Sequence, residues 1–221
     1  MTKLTHTLAL LICLAGASAS FGQDTAAPAD PAPTTDAPVA ATGTDLSLGT
    51  EVGGNKGPGS TYVAASFESW EQRCVRAAEG GVDTCQLYQL LKDAKGNSVA
   101  EITLFGLPEG QEAAAGATVI APLETLLTNG MLLQIDAGKA KTYPFTWCSS
   151  IGCIARIGLT TAEVEALKKG NKATLTIVPV VAPTEKVLLD VSLKGFTAGF
   201  TAVNDANAKA DAAAKAAAPA P

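Results

Sequence analysis

The sequence predicts a mainly β protein, a sandwich of short strands with one short helix and disulfide bonds. Three observations carry this. Short runs rich in β-branched and alternating apolar residues recur between Gly/Pro turns from Thr61 to Val203. A single stretch, starting at Thr160, has helical signals. Four cysteines fall inside the strand-rich region.

Residues 1–22 read as a secretory signal. Lys3 supplies the positive start, Leu8–Ala15 the apolar segment, and Ala17-Ser18-Ala19 a small-residue cleavage site, with cleavage expected between Ala19 and Gln23. The apolar run is about half the roughly 20 residues a membrane-spanning helix needs. Cys13 lies within it, so it is removed with the leader and does not serve as a lipidated cysteine. The mature chain is thus expected to have no transmembrane segment and to be periplasmic or secreted. Residues 23–60 are rich in Pro, Ala and Thr and carry five acidic side chains against Lys56, the composition of a disordered linker.

Residues 61–203 form the expected folded domain, long enough to bury a core. Phe67 to Val75 and Thr84 to Leu91 are strands, each carrying a cysteine. Asp93–Asn97 is a turn into a strand from Ser98 to Phe105, a hairpin. Gly106 to Gly116 is a loop. Thr118–Pro122 and Met131–Asp136 are strands, and Ala137-Gly138 turns the chain into Lys141–Thr146. Ile154–Ile157 follows the second cysteine pair. Thr160 and Glu163 form a capping-box pattern ahead of Val164 and Leu167, and Lys168-Lys169-Gly170 closes the helix. Lys172–Val181 and Lys186–Leu193 are strands, and Gly195-Phe196 leads to a last strand through Phe200 and Val203. Residues 204–221 read as a frayed Ala/Lys-rich tail.

Composition excludes several chemistries. His6 is the only histidine and lies in the leader, so the mature chain has no imidazole for a Ser-His-Asp or Cys-His mechanism or for a metal. The net charge of −5 gives no basic field to draw nucleic acid. No glycine-rich nucleotide loop follows a strand, and no cofactor is expected. Glu163 and Glu165 point to different helix faces, and Glu109 and Glu112 read as solvated loop charge. Lys168, Lys169 and Lys172 complement a helix C-terminus. Ser149-Ser150 has no base beside it in sequence, and Trp70, Tyr88, Tyr143 and Trp147 suit core or edge positions.

Cys74, Cys85, Cys148 and Cys153 remain after export. Sequential pairing is the simplest arrangement in an oxidising compartment, and each bridge would contribute about 2–3 kcal/mol. Two alternatives stand beside it. One is a zinc site, whose usual spacing these cysteines lack. The other is a redox-active Cys148–Cys153 pair, without the C-x-x-C form.

Several motifs in order resemble the invasion-associated locus B family of exported alphaproteobacterial proteins. They are Trp70-x-x-x-Cys74, Cys85-Gln86-Leu87-x-Gln89, Phe145-x-x-Cys148-x-x-x-Gly152-Cys153-x-Ala155, Leu167-x-x-Gly170-x-x-Ala173 and Ser192-Leu193-Lys194-Gly195-Phe196-x-x-x-Phe200. The resemblance implies an immunoglobulin-like β-sandwich with paired cysteines and a periplasmic or secreted location. It also implies a link, seen for some members, to entry into host cells, notably erythrocytes. It supplies no catalytic residue set. The expectation is therefore a non-enzymatic protein that binds an unknown protein partner through a sheet face or edge strand, at the cell envelope or in host interaction. The alternative is a thiol–disulfide or stress-related periplasmic protein using Cys148 and Cys153.

Overall fold

The computed structural model describes residues 56–217. The chain separates into units spanning 1–51 and 52–221, and the described residues lie in the second. The signal segment, most of the linker and the last four tail residues fall outside the described residues.

Eleven strands and two helices make up the described part. The strands are β1 (Thr61–Phe67), β2 (Trp70–Val75), β3 (Thr84–Lys92), β4 (Ser98–Gly106), β5 (Ala115–Ala121), β6 (Met131–Ile135), β7 (Lys141–Tyr143), β8 (Trp147–Ser149), β9 (Gly152–Leu159), β10 (Lys172–Ile177) and β11 (Val187–Ser192). The helices are α1 (Thr161–Lys169) and α2 (Phe196–Ala217). A seven-stranded sheet runs β1-β2-β3-β4-β5-β9-β8 and a four-stranded sheet β11-β10-β6-β7, with every pairing antiparallel. This is the expected disulfide-bonded β-sandwich.

Period-two burial places the core between the sheets. Along β5, Ala115, Ala117, Val119 and Ala121 are buried and their neighbours are not. Ala155, Ile157 and Leu159 of β9 face the same way, against Leu175 of β10 and Leu189 of β11 in one continuous core. α1 starts as the sequence predicts. The Thr160 side chain accepts from the Glu163 backbone, and the Glu163 carboxylate accepts from Thr160 N–H at 2.9 Å. Val164 and Leu167 are the buried face of α1.

Three elements differ from the sequence expectation. The run read as one strand from Phe67 to Val75 is broken at Glu68-Ser69, where Glu68 takes a positive φ of 54° and turns β1 into β2. A strand therefore precedes it, and a register shift between Val63 and Ala65 interrupts the alternation that would have marked it. The short β8 lies ahead of β9, where none was expected.

The largest correction concerns the end of the domain. Phe196, Phe200 and Val203 belong to a 22-residue helix, α2, and not to a last strand followed by a frayed tail. Their spacings of four and three put them on one helical face, and that face is covered by the seven-stranded sheet, so burial stabilises the helix over intrinsic propensity. Ala210 continues the buried stripe into the region read as tail. Gly195, at φ 81°, sits against the Phe67 carbonyl and leaves no room for a Cβ where β11 hands over to α2.

Polar side chains of α2 enter the sheet. The β3–β4 register would place Cys85 opposite Gly106, but the two strands have parted there. Asn207 fills the gap, accepting from Cys85 N–H at 2.8 Å and donating to Cys85 C=O at 2.9 Å. Asn204 accepts from Gly106 N–H at 2.9 Å. Helix side chains thus satisfy backbone groups that a strand ladder would otherwise pair.

Candidate functional site

The four cysteines form two bridges. Cys74 and Cys85 are direct partners on β2 and β3, and Cys148 and Cys153 on β8 and β9, each pair with Cα atoms 4.0 Å apart. Strands β4 and β5 lie between β3 and β9, so the pairs are separated by three strand spacings, about 14 Å. The four thiols are not gathered as a zinc site requires. Among the described residues no cluster of three or more His, Cys, Asp or Glu is placed to hold a metal ion.

The bridges differ in access. Cys74 and Cys85 are both buried, whereas Cys148 is exposed on the sheet edge and Cys153 is buried. Ser150-Ile151 form the turn between them. Gly152 follows with φ 138°, packed against the Ala121 carbonyl and the Ile120 side chain, where a Cβ has no space. The turn is thereby pressed onto the end of β5.

The other motif residues assemble inside the fold. Trp70 Nε1–H donates to Ser192 C=O at 2.8 Å, and the Gln89 amide donates to Ser192 C=O and Ser69 C=O while accepting from Ser192 N–H. Phe196 meets Trp70 edge-on and stacks on Phe200, both at 5.5 Å between centroids. Trp70 and Gln89 are almost fully buried. These residues clamp β11 to the seven-stranded sheet and seat α2, which is structural work.

Chemistry-bearing residues singled out in the sequence are dispersed. Glu163 is held by the α1 cap and by Lys141 at 2.6 Å; burial pushes its carboxyl up, but these partners outweigh burial and leave it below the ordinary range. Glu165 pairs with Lys168 at 2.9 Å and Lys169 at 3.7 Å. Glu109 and Glu112 are exposed in the β4–β5 loop, and Ser149 and Ser150 in the β8–β9 hairpin.

The outer face of the seven-stranded sheet offers a surface instead. A cleft of about 480 Å³ lies over β2, β3 and β4, closed at one end by Leu107, Pro108 and α2. Arg73 stacks 3.2 Å above the Tyr88 ring and pairs with Glu71 at 2.8 Å. Burial pushes the Tyr88 hydroxyl up, and its hydrogen bond with Glu101 adds to the shift. Beside the cleft, Leu90, Glu101, Ile120, Ile154 and Trp147 are successive cross-strand partners and share that outer face. Leu90 is 45 % exposed, Trp147 48 % and Ile151 at the adjoining turn 70 %. An apolar row with one carboxylate can make a sheet-face contact. Sequence reasoning missed it because Leu90 and Ile120 sit in runs that are apolar on both faces.

Comparisons with known proteins agree with this architecture. The invasion associated locus B (IalB) protein family matches residues 70–204. Two invasion protein B homologs of Brucella abortus, from strain 2308 and from biovar 1 strain 9-941, are each 24 % identical over 146 residues. Each match covers 66 % of this chain and 81 % of the relative. The crystal structure of invasion associated protein b from Bartonella henselae superposes with a TM-score of 0.52 at 21 % identity, covering 63 % of this chain and 94 % of that one. That likeness shows the fold, and the match to residues 70–204, well over half of the chain, shows the family. The chain belongs to the invasion associated locus B family.

Proposed function

We propose that this protein is exported and acts without catalysis, by binding a protein partner at the cell envelope or at a host-cell surface. The observation that carries this reading is the uncovered outer face of the seven-stranded sheet, with its row of Leu90, Ile120 and Trp147. Family membership supports it, as do relatives named as invasion proteins. The N-terminal leader pattern and the two disulfides support export to the periplasm or beyond. No helix among the described residues is long and apolar enough to cross a membrane.

The test joins fractionation to site-specific cross-linking. A photo-reactive residue at Leu90 should yield a discrete adduct in the periplasm, or on protease-accessible protein at the surface, and the same probe at Glu109 should not. Cytoplasmic retention, or equal labelling at both positions, sinks the reading.

A second reading, a thiol–disulfide or stress-related role for Cys148 and Cys153, is favoured by the exposure of Cys148. Thiol titration in mild reductant separates the two. A catalytic pair opens while Cys74–Cys85 stays closed, and a structural pair resists until the protein unfolds.

A further inference from the structure

Three connections meet at one end of the sandwich: β5 to β6, the β8–β9 turn, and β10 to β11. Hydrogen bonds from Leu126 N–H to Val178 C=O and from Val180 N–H to Glu124 C=O join the first to the third. Gly152 presses the second onto Ala121, and Ile151 lines one groove with Pro122 at the start of the first. These connections expose Leu123, Leu127, Trp147, Ile151, Val180 and Val181, the last at 78 %. They also lack charge. Residues 113–123, 125–135, 142–155 and 173–184 contain no acidic or basic side chain, leaving Glu124 alone among the first two stretches.

We propose that this end binds the surface of a phospholipid bilayer, with the six side chains entering the boundary between headgroups and acyl chains. Three observations favour a lipid over a protein occupant. The apolar groups project from separate turns, and a fluid interface accepts such projections without the shape match that a protein partner needs. A protein contact is ordinarily framed by charged and polar groups that fix its register, and these segments supply one carboxylate. The loop backbone is also satisfied internally, by Thr125 N–H to Pro122 C=O, Asn129 N–H to Leu126 C=O, Gly130 N–H to Leu127 C=O and Ala182 N–H to Pro179 C=O. Loops paired in this way enter a water-poor layer without stranding donors. Trp147 suits the headgroup level, where an indole keeps one edge apolar and its N–H wet. Since attraction is apolar, binding does not depend on anionic lipid. The inference adds a lipid to the protein partner proposed above and is tested on purified protein, so its failure leaves the cross-linking result standing.

The experiment is co-sedimentation of the purified protein with phosphatidylcholine–phosphatidylethanolamine vesicles at low and high salt, with tryptophan emission recorded in parallel. Trp70 is buried, so a blue shift on adding vesicles reports Trp147. The expected result is salt-insensitive sedimentation with a blue shift. Ile151→Asp with Val181→Asp should lower partitioning by about tenfold or more. Val82→Asp, an exposed apolar position in the β2–β3 loop, should bind like the parent and control for folding. Absence of sedimentation overturns the proposal, as does binding restricted to anionic vesicles and abolished by salt. Unchanged partitioning of the double variant also overturns it. A Trp147 shift that follows protein concentration without vesicles assigns the surface to a second copy of the chain and overturns it too.

Discussion

At the residue scale, two positions show how local chemistry holds the surface in place. Gly152 combines a positive φ with direct contact to the Ala121 carbonyl. A Gly152→Ala variant should lose about 1–3 kcal/mol from backbone strain, read as a lower urea midpoint, and should loosen the Cys148–Cys153 hairpin. An unchanged midpoint would mean that the turn relaxes freely away from β5. Asp83 accepts from the Tyr62 hydroxyl at 2.6 Å and from Ala77 N–H at 2.8 Å. The Tyr62 hydrogen bond is the main cause, with the Ala77 bond second, that holds its carboxyl below the ordinary carboxylate range. Because the folded state binds this proton less readily than the unfolded chain, the stabilisation is complete above the ordinary range. It is lost as pH falls through the depressed folded-state value. Asp83→Asn should therefore flatten the acid limb of stability against pH and converge with the parent at low pH. Parallel acid limbs for parent and variant would remove Asp83 from the account.

At the scale of elements, α2 is the piece whose role the sequence hid. Its apolar positions 196, 200 and 203 have helical spacing, but Thr197, Gly199, Thr201 and Val203 are indifferent or poor helix formers. Local propensity and tertiary demand therefore disagree, and the covering sheet decides. Asn204 and Asn207 make α2 part of the β3–β4 pairing as well as a cover. Asn207→Ala leaves both Cys85 backbone groups without their partner and should cost about 1–3 kcal/mol. Amide exchange at Cys85 should rise with it. A variant with parental stability and unchanged exchange would show that water replaces the amide without loss.

At the scale of the whole molecule, the legible features were those written in local pattern. The β3–β4 hairpin follows from alternation around the Asp93–Asn97 turn, α1 from its capping box, and the sandwich class from many short runs with one such helix. The Trp70, Gln89, Ser192 and Phe196 clamp was visible as motif residues but not as a clamp, because its members lie about a hundred residues apart and meet only through the fold. The outer face was not legible at all. Ile120 and Val119 are equally apolar, and only the placement of the second sheet decides which is covered.

The asparagine contacts have a consequence for how the chain is made. Cys85 and Asn207 are 122 positions apart, so a polypeptide delivered N-terminus first completes β3 and β4 long before the side chains that seal their parted ends emerge. During that interval the nascent domain carries an open seam between two central strands, flanked by a hydrophobic floor awaiting Phe196 and Phe200. The last segment to appear is then the keystone, and a product cut short after Ser192 would retain nearly every strand while lacking the closure that keeps it from sticking to its neighbours.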